Sequence, residues 1–273
     1  MPYEFLVLPT LFQLSAWLFA EGPVPYEVPI LPVLFCASAS RPMEATVTYE
    51  FLVLSVLFLV PGSCFWFARP DLRPLMKRAV VVSLPFAATE WLFYPEYWTP
   101  RFLFGLADHI GFGIEDVLFV AGLGAFSSTA YAVAFRRTLA AHGAPGKPWF
   151  RAAGAFVLAM AVTGALLAVG VSILYAAVVA MVAVSTALLL ARRDLVVPSV
   201  LGAVTTAAIY LGLCLVFAAL LPGVFERTWR PSLLLPGRFL GIPLDELLYG
   251  LGAGFCGTAV PAWAFGWRFE SKR

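Results

Sequence analysis

The chain has 273 residues, 61% hydrophobic and 12% charged, with a mean hydropathy of +0.88 and a formal net charge of +2. No soluble domain of this length buries that much apolar surface, and so small a net charge excludes nucleic-acid binding. Several runs reach the roughly 20 apolar residues that cross a bilayer as a helix, so the chain reads as an all-α integral membrane protein.

In chain order, an apolar stretch at residues 5–20 holds Gln13 and precedes a proline-rich segment at 21–42. It is either an eighth span or an interfacial helix. Seven spans follow, at about 49–67, 79–94, 114–135, 152–169, 171–191, 198–221 and 244–265. The run 152–191 is long enough for two spans, and Gly170-Val171-Ser172 is the expected turn between them. Alternate loops carry the basic residues: Arg69, Arg73, Lys77 and Arg78, then Arg136, Arg137, Lys147 and Arg151, then Arg192 and Arg193, then Arg268, Lys272 and Arg273. The other loops hold only Arg101, Arg227, Arg230 and Arg238. The positive-inside rule makes the first set and the C-terminus cytoplasmic; the expected location is the inner membrane of a bacterial cell. Trp66, Trp91, Trp98, Trp149, Trp263 and Trp267 fall near span ends, as an aromatic belt requires.

The chain echoes itself. Ala68-Arg69-Pro70-Asp71-Leu72 resembles Ala191-Arg192-Arg193-Asp194-Leu195, and each is followed by a span, an outer loop and an acidic pair. The expected organisation is an N-terminal extension or extra helix (1–47), a first three-helix repeat (48–137), a linker with a linking helix (138–170) and a second three-helix repeat with the C-terminal tail (171–273). A single linking helix makes the two repeats parallel, about an axis along the membrane normal. A second echo, Tyr3-Glu4-Phe5-Leu6-Val7-Leu8 against Tyr49-Glu50-Phe51-Leu52-Val53-Leu54, marks either a duplicated first helix or an extension ahead of Met43.

The acidic pairs are Glu115-Asp116 and Asp245-Glu246, each at the mouth of a span. Acids favour a first helical turn, where the helix dipole is positive, so capping explains one pair as well as function does. Two pairs at equivalent places favour function, because carboxylates in or near hydrocarbon are costly. Crowded, desolvated carboxyls disfavour full ionisation while the dipole favours it. Where desolvation wins, the site holds a neutral acid beside a carboxylate: a proton donor and acceptor in one apolar setting. Glu90 is the other acid well inside a span, either a third site group or a structural one. The loop Tyr94-Pro95-Glu96-Tyr97-Trp98-Thr99 reads as a lid or an interfacial anchor.

Other motifs carry less. Gly252-Ala253-Gly254-Phe255-Cys256-Gly257 matches G-x-G-x-x-G, but inside an apolar span it serves close helix packing rather than a dinucleotide. Cys36, Cys64, Cys214 and Cys256 form no C-x-x-C pair and read as small buried hydrophobes. His109 and His142, in expected loops, do not make a metal centre. The only lysines, Lys77, Lys147 and Lys272, lie at span ends or in loops, which excludes a retinal Schiff base in the bundle centre. No cofactor or metal is expected.

An aromatic outer loop followed by P-x-E-(E/D) opening a span resembles the integral-membrane lycopene cyclases of the heterodimeric bacterial type, in the fused two-domain form of fungal and archaeal relatives. The resemblance covers residues 48–267 and rests on Glu90-Trp91, Tyr94-Pro95-Glu96-Tyr97, Gly113-Ile114-Glu115-Asp116-Val117-Leu118-Phe119 and Gly241-Ile242-Pro243-Leu244-Asp245-Glu246-Leu247-Leu248-Tyr249. Gly113 stands where that family has proline, and Asp245 where it usually has glutamate. The resemblance implies a cofactor-independent isomerase that closes the ends of a linear carotenoid: an acid protonates the terminal alkene, a neighbouring alkene attacks the cation, and a base removes a proton. Glu115, Asp116, Asp245 and Glu246 are then the expected acid/base set, with Glu90 in support. Trp91, Tyr94, Tyr97, Trp98, Phe119 and Tyr249 are the expected substrate-binding residues, able to stabilise a cation on their rings. The implied partners are a lipophilic polyene, membrane lipid and carotenoid-pathway enzymes. The rival readings are a carotenoid- or isoprenoid-binding or transport protein of the same fold, and a membrane subunit without a ligand.

Overall fold

The computed structural model describes residues 49–143, 146–230, 233 and 235–271. The stretch 5–20, the segment 21–42, Cys36, Met43, Lys272 and Arg273 lie outside them. The described chain is mostly helical. Its elements are α1 (Glu50–Ala68), α2 (Arg73–Ser83), α3 (Leu106–Ile110), α4 (Ile114–Ser127), α5 (Ala130–Ala134), β1 (Arg137–Ala141), α6 (Pro148–Ala168), α7 (Ile173–Ala191), α8 (Val196–Leu220), α9 (Val224–Thr228), β2 (Arg238–Phe239), β3 (Ile242–Pro243), α10 (Leu244–Ala264) and β4 (Trp267–Ser271).

Among the described residues, five helices are long and apolar enough to cross a membrane: α1, α6, α7, α8 with its lead-in from Arg193, and α10. A sixth joins Leu103–Ile110 to α4 if a 91° bend is counted within one span. Two expected spans are interrupted. The stretch 79–94 is α-helical only to Ser83 and continues as a 3-10 helix, Leu84–Leu92. Pro85 causes the change, since it lacks an N–H and its ring crowds the carbonyl four residues back. The stretch 114–135 breaks at Ser128-Thr129, whose hydroxyls donate to the Ala125 carbonyl at 3.0 and 2.9 Å. Such back-bonding bends helices. Gly170, at φ +86°, makes the turn between α6 and α7.

The repeated Arg-x-Asp motifs have matching jobs. Arg69 forks onto Asp71 at 2.9 and 2.8 Å and also donates to the Arg137 carbonyl, where β1 begins. Arg192 forks onto Asp194 at 2.7 Å twice and donates to the Trp267 carbonyl at 2.8 Å, where β4 begins. β1 and β4 then pair antiparallel, with Leu139 opposite Phe269. This two-stranded sheet and the short β2–β3 pair were not expected of an all-α chain. They use backbone groups that the helix ends leave free. Arg73 and Lys77 sit over the Trp66 ring, Arg78 over Trp267 and Arg151 over Trp263, so cations and aromatics share this basic end.

At the opposite, acidic end, Trp98 and Trp229 form an antiparallel bridge. The Thr99 N–H donates to the Thr228 carbonyl at 2.8 Å, and the Arg230 N–H donates to the Tyr97 carbonyl at 3.1 Å. The helices between these ends pack through small residues. A Cβ at Gly254 would meet Ala203 and Thr206 of α8, and one at Gly252 would approach Met181 of α7. The glycine-rich motif is thus a packing face. Cys214 is buried, whereas Cys64 is exposed on α1. An apolar run does not imply burial when one flank of a helix faces lipid.

Replacing Arg192 by alanine removes a bidentate pair and leaves the Trp267 carbonyl without its donor. A charge-assisted bond of this kind contributes about 1.5–3 kcal/mol. The Arg192→Ala protein should melt at lower temperature in detergent, and Arg192→Lys should recover only part of the loss.

Candidate functional site

The acidic end opens onto a cavity of about 220 Å³ between α1, α2 with its 3-10 extension, α4, α6, α7 and α10. Along the helices its walls are apolar: Leu54, Val82, Phe86, Leu123, Phe156, Met160, Met181 and Val184 line it towards the basic end. Ser83, Ser127 and Thr163 add hydroxyls along these walls, while the carboxyls gather at the acidic end, where Glu90, Asp116 and Glu246 line the cavity together with Tyr97, Trp98, Tyr210, Trp229 and Tyr249.

Each acid is placed by its own element. Glu90 comes from the 3-10 helix, which repeats every three residues, so Ala87, Glu90 and Phe93 fall on one face and all line the cavity. The same period turns Trp91 away, and it is 64% exposed. The Trp98 indole N–H donates to Glu90 Oε1 at 2.6 Å. Asp116 sits in the first turn of α4, where it accepts the Gly113 N–H at 2.7 Å, the reach-back half of a capping box. The Glu90 and Asp116 carboxyls both face the cavity, and two carboxyls that meet there need one proton between them.

Glu246 sits in the first turn of α10 and is held differently. The Trp229 indole N–H donates to Oε1 at 2.8 Å, and the Tyr210 hydroxyl donates to Oε2 at 2.7 Å. The Tyr97 hydroxyl lies near this carboxyl but outside hydrogen-bond geometry. Among the described residues, no arginine or lysine forms an ion pair with Glu90, Asp116 or Glu246.

The other member of each pair faces a loop. Glu115 is fully buried and accepts the Leu103 N–H at 2.6 Å, with its second oxygen unpartnered. Asp245 accepts the Tyr175 hydroxyl at 2.5 Å and the Leu235 N–H at 3.0 Å. Neither lines the cavity. Adjacent residues on a helix point about 100° apart, so one acid of each pair turns inward and its neighbour braces the preceding loop.

Of the expected substrate-binding residues, Tyr97, Trp98, Phe119 and Tyr249 line the cavity, while Trp91 and Tyr94 do not. Tyr94 instead donates to Asp108 at 2.9 Å. The rings form a continuous wall: Phe51 against Trp98 at 4.5 Å, Trp98 against Trp229 at 5.0 Å, and Phe119 stacked on Tyr249 at 6.5 Å. Sequence reasoning missed Tyr210, Trp229 and Tyr175. For Trp229 a signal existed, since it lies 131 residues after Trp98, close to the 130 that separate the acidic pairs. For Tyr210 a signal also existed, since it lies near the repeat counterpart of Glu90; for Tyr175 there was none, because a tyrosine within an apolar helix is ordinary.

Gly113 also has a local reason. A Cβ there would collide with the Glu115 carboxyl and the Phe102 ring. A proline would also lack the N–H that Asp116 accepts. In the second half Pro243 takes the equivalent place before α10, and Glu246 draws its donors from Trp229 and Tyr210 instead.

A model of the lycopene cyclase family matches residues 172–264. The match takes in Tyr175, Tyr210, Trp229, Asp245, Glu246 and Tyr249. It supports a carotenoid cyclase-like function and an enzyme located in a membrane. No curated protein and no solved structure matches the chain.

Gly113→Pro should therefore cost stability, by about 1.5–3 kcal/mol for the lost bond to a buried carboxyl and more for the clash with Phe102. A thermal melt of the detergent-purified protein checks this. An unchanged midpoint would remove the explanation offered for glycine at this position.

Proposed function

We propose that the protein is a lycopene cyclase-like isomerase that closes terminal rings of a linear polyene by acid/base catalysis, without a cofactor. The observation that carries this reading is the cavity itself: an apolar slot along the helices, ending at three carboxyl groups among aromatic rings. A polyene entering from lipid places its terminal alkene at the acids, while the remainder of the chain occupies the slot. Protonation of the alkene creates a tertiary cation, which the faces of Trp98, Trp229, Phe119 and Tyr249 stabilise. Attack by the neighbouring double bond closes the ring, and loss of a proton restores neutrality. The atoms of substrate and product are the same, so no redox partner is needed. A transport path would instead need charged or strongly polar groups towards both ends of the cavity, and away from the acids the described lining is apolar apart from Ser83, Ser127 and Thr163.

In this reading Glu90, Asp116 and Glu246 face the substrate, while Glu115 and Asp245 position the site by holding the loops at Leu103 and Leu235. We further propose that the scaffold is two parallel three-helix repeats, 48–137 and 171–273, joined by α6 as the linking helix and making seven spans. The reciprocal bonds at Trp98–Trp229 and the pairing of Leu139 with Phe269 support a two-fold axis along the membrane normal. The basic end, with the C-terminus, is placed at the cytoplasmic face of a bacterial inner membrane, where neighbouring pathway enzymes supply the polyene.

Expression in a lycopene-accumulating host tests the function, with pigment analysis as the readout. The wild-type protein should convert lycopene to cyclic products. Asp116→Asn and Glu246→Gln should each lose ring formation by at least about 100-fold, the scale of one general acid or base. Glu115→Gln, whose amide oxygen still accepts the Leu103 N–H, should retain most of it. Unaltered lycopene from a folded wild-type protein would refute the reading.

A further inference from the structure

The proposed repeats are alike in scaffold but unlike in chemistry. Trp98 and Trp229 bridge each other, yet each indole serves a different acid: Trp98 donates to Glu90, and Trp229 donates to Glu246. In the first half, the helix before the acidic pair supplies Glu90. In the second half, the corresponding helix supplies Tyr210, which donates to Glu246. The two walls of the cavity therefore differ in their carboxyls. One wall carries two, Glu90 and Asp116, with no cation paired to either among the described residues, so sharing a proton is the least costly arrangement for them. The other carries a single carboxyl whose two oxygens already accept bonds from neutral donors, which suits a proton acceptor.

Resting on the cyclase reading, we infer that the proton crosses this cavity in one direction: the Glu90–Asp116 pair donates it to the substrate, and Glu246 removes the proton released after ring closure.

The balance is as follows. The shared proton leaves the pair and forms a C–H bond at the terminal alkene carbon, using the alkene's π electrons. The neighbouring double bond supplies the electrons of the new C–C bond, which moves the positive charge onto the ring. A C–H bond beside that charge breaks, its electrons form the ring alkene, and its proton passes to Glu246. The pair is left one proton short and Glu246 one proton richer. A single return transfer restores the starting state. Tyr249 lines the cavity together with Glu90, Asp116 and Glu246, which makes its phenol the group assigned to that return path. No oxidant, reductant or co-reactant is required.

Direction makes the acids distinguishable, although each is needed for turnover. Without the donor pair no cation forms. Without Glu246 the cation still forms, and then either reverts by returning a proton or loses one from another carbon. The test uses purified protein in lycopene-loaded liposomes prepared in D2O, with mass spectrometry of recovered substrate and products. Wild-type protein should place one deuterium in each ring formed. Glu246→Gln should give recovered lycopene that carries deuterium at its terminal alkene, or cyclic products with a displaced double bond. Glu90→Gln and Asp116→Asn should give neither. Glu246→Asp, which keeps a carboxylate but sets it one methylene further from the substrate, should form rings slowly and raise the ratio of exchanged substrate to product. Deuterium exchange or displaced products from the Glu90 or Asp116 variants would overturn the assignment. So would a folded Glu246→Gln protein without either signature. Failure of the cyclase reading is separate: a folded wild-type protein would then form no ring and exchange no deuterium.

Discussion

Three carboxyl groups line the cavity at one end of an apolar bundle, with no cation paired to them among the described residues, and the architecture of that end answers to this constraint. An uncompensated charge in such surroundings is prohibitively costly, so each group must share a proton or be covered by donors. Glu246 takes the indole of Trp229 and the hydroxyl of Tyr210. Glu90 takes the indole of Trp98, and Asp116 takes the N–H of Gly113. Every one of these donors is neutral. An arginine in their place would lock the acids as ion pairs and deny them a proton to give. Neutral donors keep them solvated by the protein and chemically available.

The donors are held in place by the Trp98–Trp229 clasp. It is built from backbone bonds between two loops more than a hundred residues apart, with the two indoles in contact beneath. Phe51 and Phe225 pack against the same indoles, at 4.5 and 4.7 Å. Aromatic pairs of this kind contribute roughly 0.5–1.5 kcal/mol each beyond their burial. At the far end, the Arg69 and Arg192 forks tie the helix turns to β1 and β4. The helices are thus pinned at both ends, and the apolar slot between them remains open. The second acid of each pair serves the same purpose, because Glu115 and Asp245 fasten the loops that lead into α4 and α10.

Much of the scaffold was legible in the chain. The turn at Gly170, the helices at 50–68, 173–191 and 244–264, and the glycine-rich motif as a packing face follow from hydrophobic length and residue size. The Arg-x-Asp echo was legible as a pattern, though its bonds to the Arg137 and Trp267 carbonyls were not. Trp91 and Tyr94 were expected at the site because the family resemblance runs through them and their rings could stabilise a cation. The change from α to 3-10 winding after Pro85 alters which residues share a face, and it turns Trp91 outward while turning Glu90 inward.

The sequence by itself determined the class of protein, the ends of the helices at which acids and bases gather, and the chemistry that two acidic pairs allow. It determined these because hydrocarbon tolerates few charges, so their positions along the chain carry information. Only the tertiary structure decided that Asp116 and Glu246 face the cavity while Glu115 and Asp245 do not, that Glu90 joins Asp116, and that Tyr210 and Trp229 complete the cradle of Glu246. The physical reason is that α4 and α10 are apolar around much of their circumference. Periodicity then fails to distinguish the inner face from the outer one, and the choice is made by contacts with helices far away in the chain.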